Sequence, residues 1–148
     1  MEYSETSVRL IKRTRSLYLE KTKLWNNHYY LGYSHLCLVQ DSLKDVNSIT
    51  KRESCLLLEK DVKKIEKNLN KYLTVELNRN QFDSLISLVY DIGIKRLITD
   101  EMFVFINNNK FVEASLCFSK FNKYMKKPIY RLIKTRKEEQ KLWNKPIE

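Results

Sequence analysis

Few residues in this chain are suited to moving protons. His28 and His35 are the only histidines, and they flank Gly32, one of two glycines, in HYYLGYSHL, residues His28 to Leu36. A histidine after a glycine turn can be a general base, a metal ligand or a structural group, and the structural role is the most common. His28 has no partner that the sequence identifies. Thiol chemistry is as sparse: Cys37, Cys55 and Cys117 are widely spaced, flanked mostly by apolar residues, and lack CxxC or Cys/His spacing. They predict buried thiols in a reducing compartment, with no disulfide frame, metal or cofactor. The densest charge is Lys120 to Lys137, with eight basic side chains and no acid. That run suits a polyanion, whether nucleic acid, anionic cell-wall polymer or acidic protein face, unless it is only a solvated helix face. No helix-turn-helix, zinc or other specific nucleic-acid reader accompanies it.

The scaffold holding these groups has the size of one domain, 148 residues, enough to bury a core without disulfides. The net charge of +10 is spread evenly, with 14 basic and 9 acidic side chains in each half. Apolar residues make up 43% and charged residues 31%, and no apolar run approaches the ~20 residues of a membrane-spanning helix. The start, MEYSETSVRLIKR, lacks the basic and apolar regions of a secretory signal. A soluble protein, cytoplasmic in the producing cell, is expected.

With two prolines and two glycines, the chain reads as mostly helical. Val8 and Ile11 at helical spacing predict a first helix from Ser4 to about Arg15. LYLEKTKLWNNHYYLGYSHLCL, with alternating and aromatic residues around Asn26-Asn27, reads as a hairpin. Thr50 and Glu53 have capping-box spacing; Leu58, Val62, Ile65, Leu69 and Leu73 follow at steps of three or four, the mark of a long amphipathic helix. Asn78 and Gln81 start another helix, which Gly93 is placed to end in a left-handed turn. Thr99, before Asp100 and Glu101, predicts a further N-terminus. Asn107 to Asn109 break the chain before KFVEASLCFSKF, and Pro128 precedes a last helix through Trp143. About six helices and a short sheet result, an α+β chain that is mostly α.

Several of these segments, in order, resemble the phage-type lysozymes, glycoside hydrolase family 24, which cleave peptidoglycan glycan strands. LGYSH, residues 31 to 35, looks like the family's IGYGH turn. ITKRESCLLLEKD, residues 49 to 61, is similar to its IT..EA..LL..D helix start. NQFDSLISLVYDIG, residues 80 to 93, is close to NQFDALVSFAFNVG, and LIKTRKEEQKLW, residues 132 to 143, looks like its L..RR..E..L ending. Gly32 and Gly93 fall on the family's glycines. The resemblance implies a lysozyme-like fold over residues 1–148. Residues about 16–49 form a small N-terminal β-hairpin lobe, and about 4–15 and 50–148 a larger helical lobe, joined by a long helix. It also implies that His35 pairs with Asp61 as a structural brace between lobes.

Glycoside hydrolysis needs an acid for the leaving oxygen and a second carboxylate, roughly 5 to 9.5 Å apart. Counted back from GYSH without a gap, the family's glutamate at the end of the first helix falls on Arg15, its hairpin aspartate on Leu24, and the threonine before its turn on Tyr30. An arginine stays protonated and cannot act as acid or base. Leucine carries no charge, and tyrosine is far larger than threonine. The only acids in the first 40 residues are Glu2, Glu5 and Glu20. Glu20 reaches neither place in a register that keeps Asn27 where relatives have a turn glycine, a position asparagine tolerates. No catalytic residue of the family is therefore expected intact.

The second arginine of the family's RR pair, thought to face the missing glutamate, corresponds to Arg136. Arg15 and Arg136 together would repel unless an acid, such as Glu139, or a bound anion lies between them. An anion- or ligand-binding spot at Arg15, Tyr30 and Arg136 is the corresponding expectation. These readings predict a catalytically degenerate lysozyme homologue that binds a protein partner or a peptidoglycan-type glycan. The alternatives are an active muramidase using displaced residues and a polyanion or nucleic-acid binding module. Tyr18, Trp25, Tyr29, Tyr30 and Tyr33 could stack on sugars or anchor an interface, or simply fill the thin core of the small lobe.

Overall fold

Two helices begin at capping boxes spelled out in the sequence. Thr50 Oγ1 accepts from the Glu53 N–H while Glu53 accepts from the Thr50 N–H, opening α2 (Lys51–Tyr72). Asn78 and Gln81 do the same for α3 (Arg79–Ile92). Removing the first cap by Thr50→Ala is expected to cost about 1 kcal/mol, a fall of a few degrees in thermal denaturation. The computed structural model describes residues 1–147. α1 (Glu5–Thr14) is followed by β1 (Tyr18–Lys23), β2 (Tyr29–Gly32) and β3 (His35–Cys37), then α2 and α3. The rest of the chain is α4 (Ile94–Ile98), α5 (Glu101–Asn107), α6 (Phe111–Cys117), a 3-10 turn (Phe118–Phe121), β4 (Lys123–Tyr124), β5 (Lys127–Pro128) and α7 (Tyr130–Trp143).

The result is α+β and mostly α. An antiparallel three-stranded sheet, order β1-β2-β3, forms the small lobe. It is kinked by a register shift in β1 between Tyr18 and Thr22. The 22 residues of α2, about 33 Å long, run from this lobe into the helical one. There α3 is central: Phe82, Leu85, Ile86, Leu88 and Val89 are all buried, against Val8 and Ile11 of α1 and Trp143 of α7. Asp83, fully buried, accepts hydrogen bonds from the Ser4 N–H and Ser4 hydroxyl. That contact fixes the start of α1 on α3. No helix among the described residues is long and apolar enough to cross a membrane.

The structure departs from the sequence reading in several places. Asp100, not Thr99, caps α5, accepting from the Met102 N–H; Thr99 instead ends α4, a five-residue helix too short to leave a periodic signal. Gly93 has φ +80 but ψ 156, an extended geometry open almost only to glycine rather than a left-handed turn; it lets α4 start at once. The β4–β5 hairpin was hidden in the basic run. Cys117 is buried, but Cys37 and Cys55 are half-buried, because one sits on an edge strand and the other near the start of α2. Of the small lobe's aromatic residues, Tyr33 alone is buried; Tyr18 and Tyr30 are half-buried, Trp25 and Tyr29 exposed.

Candidate functional site

α1 ends by delivering Arg15 to the junction of the two lobes. Its backbone is extended, with its N–H still bonded to the Ile11 carbonyl, so the chain leaves the helix there and heads for β1. The side chain is fully buried. Its guanidinium donates to Ser87 Oγ at 2.8 Å, the Ser87 carbonyl at 2.7 Å and Thr14 Oγ1 at 2.8 Å. It lies 3.0 Å from Asp91 Oδ2 and 3.6 Å from Glu139 Oε2. Arg136, equally buried, meets the same two carboxylates, at 2.5 Å from Asp91 and 2.6 Å from Glu139. Arg131 reaches Asp91 from the surface at 3.0 Å. Three arginines thus share two acids across α1, α3 and α7.

The expected anion spot at Arg15 and Arg136 is filled by the protein's own carboxylates. Glu139 takes the part foreseen for it; Asp91 was missed. Among the described residues, the buried arginine donors without a well-aligned hydrogen bond are Nε and Nη1 of Arg136, and Nε still sits in ion-pair contact with Glu139. A signal for Asp91 was present: it stands where the resembled motif, NQFDALVSFAFNVG, carries asparagine. The acid at the end of α3 thus lies beside the arginine at the end of α1.

Neither carboxylate is set up as a general acid. Burial alone would raise the Asp91 carboxyl, but Arg15, Arg136 and Arg131 hold it well below the usual carboxylate range, so it carries no proton to donate. Burial pushes the Glu139 carboxyl up despite Arg136 and Arg15. That side chain, however, has no solvent exposure and accepts from Ser87 Oγ and Arg136, out of reach of a polymer. Glu20 is exposed on the outer edge of β1, where it bridges to Ser48.

In the hairpin, Leu24 closes the Leu24–His28 turn by donating to the His28 carbonyl at 3.0 Å. Asn27 takes φ +65 there, the conformation a turn glycine would supply. Tyr30 pairs with Thr22 across the sheet, and its hydroxyl accepts from Asn26 Nδ2 at 2.8 Å. The phenol is thereby committed to bracing the turn. Gly32, at φ +66, has Ile49 Cδ1 only 3.3 Å from where a Cβ would stand. The conformation there calls for glycine, and a Cβ would also press on the tip of the Ile49 side chain.

His35 is held from both sides. Nδ1 lies 2.6 Å from Asp61 Oδ2 on α2, and Nε2 lies 2.8 Å from Asp41 Oδ2 in the loop after β3. Asp41 had left no mark in the sequence, since only the loop's path brings it back to the ring. Burial would lower the imidazole, but Asp61 and Asp41 outweigh it and raise its pKa. Burial would raise the Asp41 carboxyl, but the Leu43 N–H and His35 bring it below its ordinary value.

Residues 12–139 match the phage lysozyme family, and the chain belongs to it. Its relatives include the endolysin of Acyrthosiphon pisum secondary endosymbiont phage 1, 30% identical over 147 residues, covering 97% of this chain and 98% of the relative. The endolysin of Bacillus phage PZA is 29% identical over 146 residues, covering 97% of this chain and 55% of the relative. The chain thus spans about half the length of the Bacillus phage endolysins it matches. Among solved structures, the muramidase domain of SpmX from Asticaccaulis excentricus superposes with a TM-score of 0.83 at 23% identity, covering 98% of this chain and 99% of that one. An endolysin from Escherichia coli O157:H7 phage FAHEc1 also reaches 0.83, at 24% identity, covering 97% and 94%. The fold is therefore lysozyme-like.

Proposed function

We propose that this member of the phage lysozyme family does not hydrolyse peptidoglycan and acts as a binding scaffold, for a protein partner or a cell-wall glycan. The observation that carries this reading is the buried arginine at the end of α1. Arg15 can neither donate nor accept a proton usefully, and its contacts with Ser87, Asp91 and Glu139 hold it buried in that place. The hairpin supports the same reading, with Leu24 offering no charge and the Tyr30 hydroxyl engaged by Asn26. Purified chain added to isolated bacterial cell walls is expected to leave their turbidity unchanged while sedimenting with them if the ligand is a glycan. The endolysin relatives favour a second reading, an active muramidase with displaced residues. Clearing of the walls at a rate above buffer would establish that reading and overturn ours.

A further inference from the structure

The basic run Lys120 to Lys137 divides once its side chains are placed. Lys120 is engaged by Asp100 and Glu101, and Arg131 and Arg136 by Asp91. Lys134 and Lys137 are exposed on α7, and Lys123, Lys126 and Lys127 on the β4–β5 hairpin; among the described residues no carboxylate forms an ion pair with any of these five.

That hairpin meets the tip of the small lobe. Tyr124 and Trp25 make an edge-to-face contact, ring centroids 5.0 Å apart at 87°. Trp25 remains 63% exposed, with Tyr130 80% exposed just beyond Pro128. On the small-lobe side, the Lys23 ammonium lies 6.0 Å from the ring centroid of exposed Tyr29. The stretch from Lys21 to His28 contains no acid. The two tips together display rings and uncompensated lysines.

The turn joining β4 to β5 adds an independent sign. Met125 and Lys126 have φ +48 and +68, the backbone of a two-residue hairpin turn that asparagine and glycine adopt far more easily. A bulky methionine there is strained, and it projects into solvent with 81% exposure. Among the described residues no side-chain hydrogen bond or ion pair holds Met125 or Lys126 in that conformation, and strain of this kind clusters at contact sites.

We propose that the β1–β2 and β4–β5 tips form a docking surface for single-stranded nucleic acid, with Trp25 and the neighbouring tyrosines stacking on bases and Lys123, Lys126 and Lys127 meeting phosphates. Both features are needed to recognise this ligand. A ring-free polyphosphate would engage the lysines alone, an uncharged glycan the rings alone, and a duplex hides its base faces, while an acidic glycan strand, which offers both features, is separated by the retention test below. None of the residues named for this surface belongs to the Arg15 cluster, and the proposal does not depend on whether the protein hydrolyses glycans.

The test is a titration of the full chain with a thymidylate oligonucleotide of about ten nucleotides, followed by tryptophan emission. The chain has two tryptophans, and Trp143 is only 3% exposed, so quenching reports Trp25. Three phosphate contacts predict affinity about 20-fold weaker at about 200 mM than at about 50 mM salt. Trp25→Ala, outside the core, is expected to weaken capture of a labelled oligonucleotide about fivefold or more. Met125→Asn with Lys126→Gly should raise the melting temperature while weakening binding about fivefold, the loss of one phosphate contact near 0.1 M salt. Equal competition by inorganic polyphosphate of matched charge, unchanged binding by Trp25→Ala, or retention on soluble glycan strands without oligonucleotide binding would each overturn the proposal.

Discussion

Arg15→Glu alone is expected to destabilise the protein by about 3–5 kcal/mol, the usual consequence of leaving buried charges without partners. The new carboxylate would enter a site already holding Asp91 and Glu139. It would also face the Ser87 carbonyl, which now accepts from Arg15 at 2.7 Å and would lose its donor. In a domain whose whole stability is about 5–15 kcal/mol, that loss lowers the melting temperature by about 10 °C. Asp91→Asn alone is also expected to be costly, because Arg15 and Arg136 would then share only Glu139 and Arg131 would lose its one ion-pair partner. The combination should be far milder than either single change, within about 2 kcal/mol of the parent, since it lets the introduced glutamate pair with Arg136 where Asp91 does now. Thermal denaturation of the four proteins completes the cycle, and additive losses would show that the two positions are not coupled. The same argument sets the order of any attempt to install hydrolysis. Arg15→Glu, Leu24→Asp and Tyr30→Thr should yield a poorly folded protein without wall clearing, and adding Asp91→Asn should be required for both stability and clearing.

The coupling also shows which parts of the site can be read from a sequence. Helix starts are local, decided by residues three apart, so the capping boxes at Thr50 and Asn78 were legible. The central place of α3 followed from its apolar content. That Arg15 ends the first helix was legible too, because the apolar spacing of α1 stops there. What answers Arg15 could not, because Asp91 lies 76 residues away and its meaning depends on a contact across helices. Glu139 was within reach only because it shares α7 with Arg136. Short elements failed for a related reason: α4 and the β4–β5 hairpin have too few residues to show a period, and the hairpin's turn carries Met-Lys instead of the expected Asn-Gly.

His35→Gln is expected to remove about 2–3 kcal/mol of stability near pH 6, and much less in alkaline solution. The ring lies between two carboxylates, and each charge-assisted hydrogen bond is worth about 1.5–3 kcal/mol when sheltered, less here because solvent reaches part of the clamp. The sign follows from the direction of each shift. His35 binds its proton more tightly folded than unfolded, so its contribution is complete below the unfolded pKa, about 6.5, and is lost as pH rises through the higher folded value. Asp41 is shifted the other way; its contribution is present above the unfolded pKa, about 3.9, and is lost as pH falls through the lower folded value. The clamp is therefore strongest between about pH 4 and pH 6.5, where it ties β3 and the following loop to α2. Urea unfolding of both proteins at about pH 5.5 and about pH 8.5 isolates the effect from other titrating groups, because they are common to both. The parent should lose more stability than the variant between the two conditions; an equal loss would mean that the imidazole holds the lobes together by packing and not by charge.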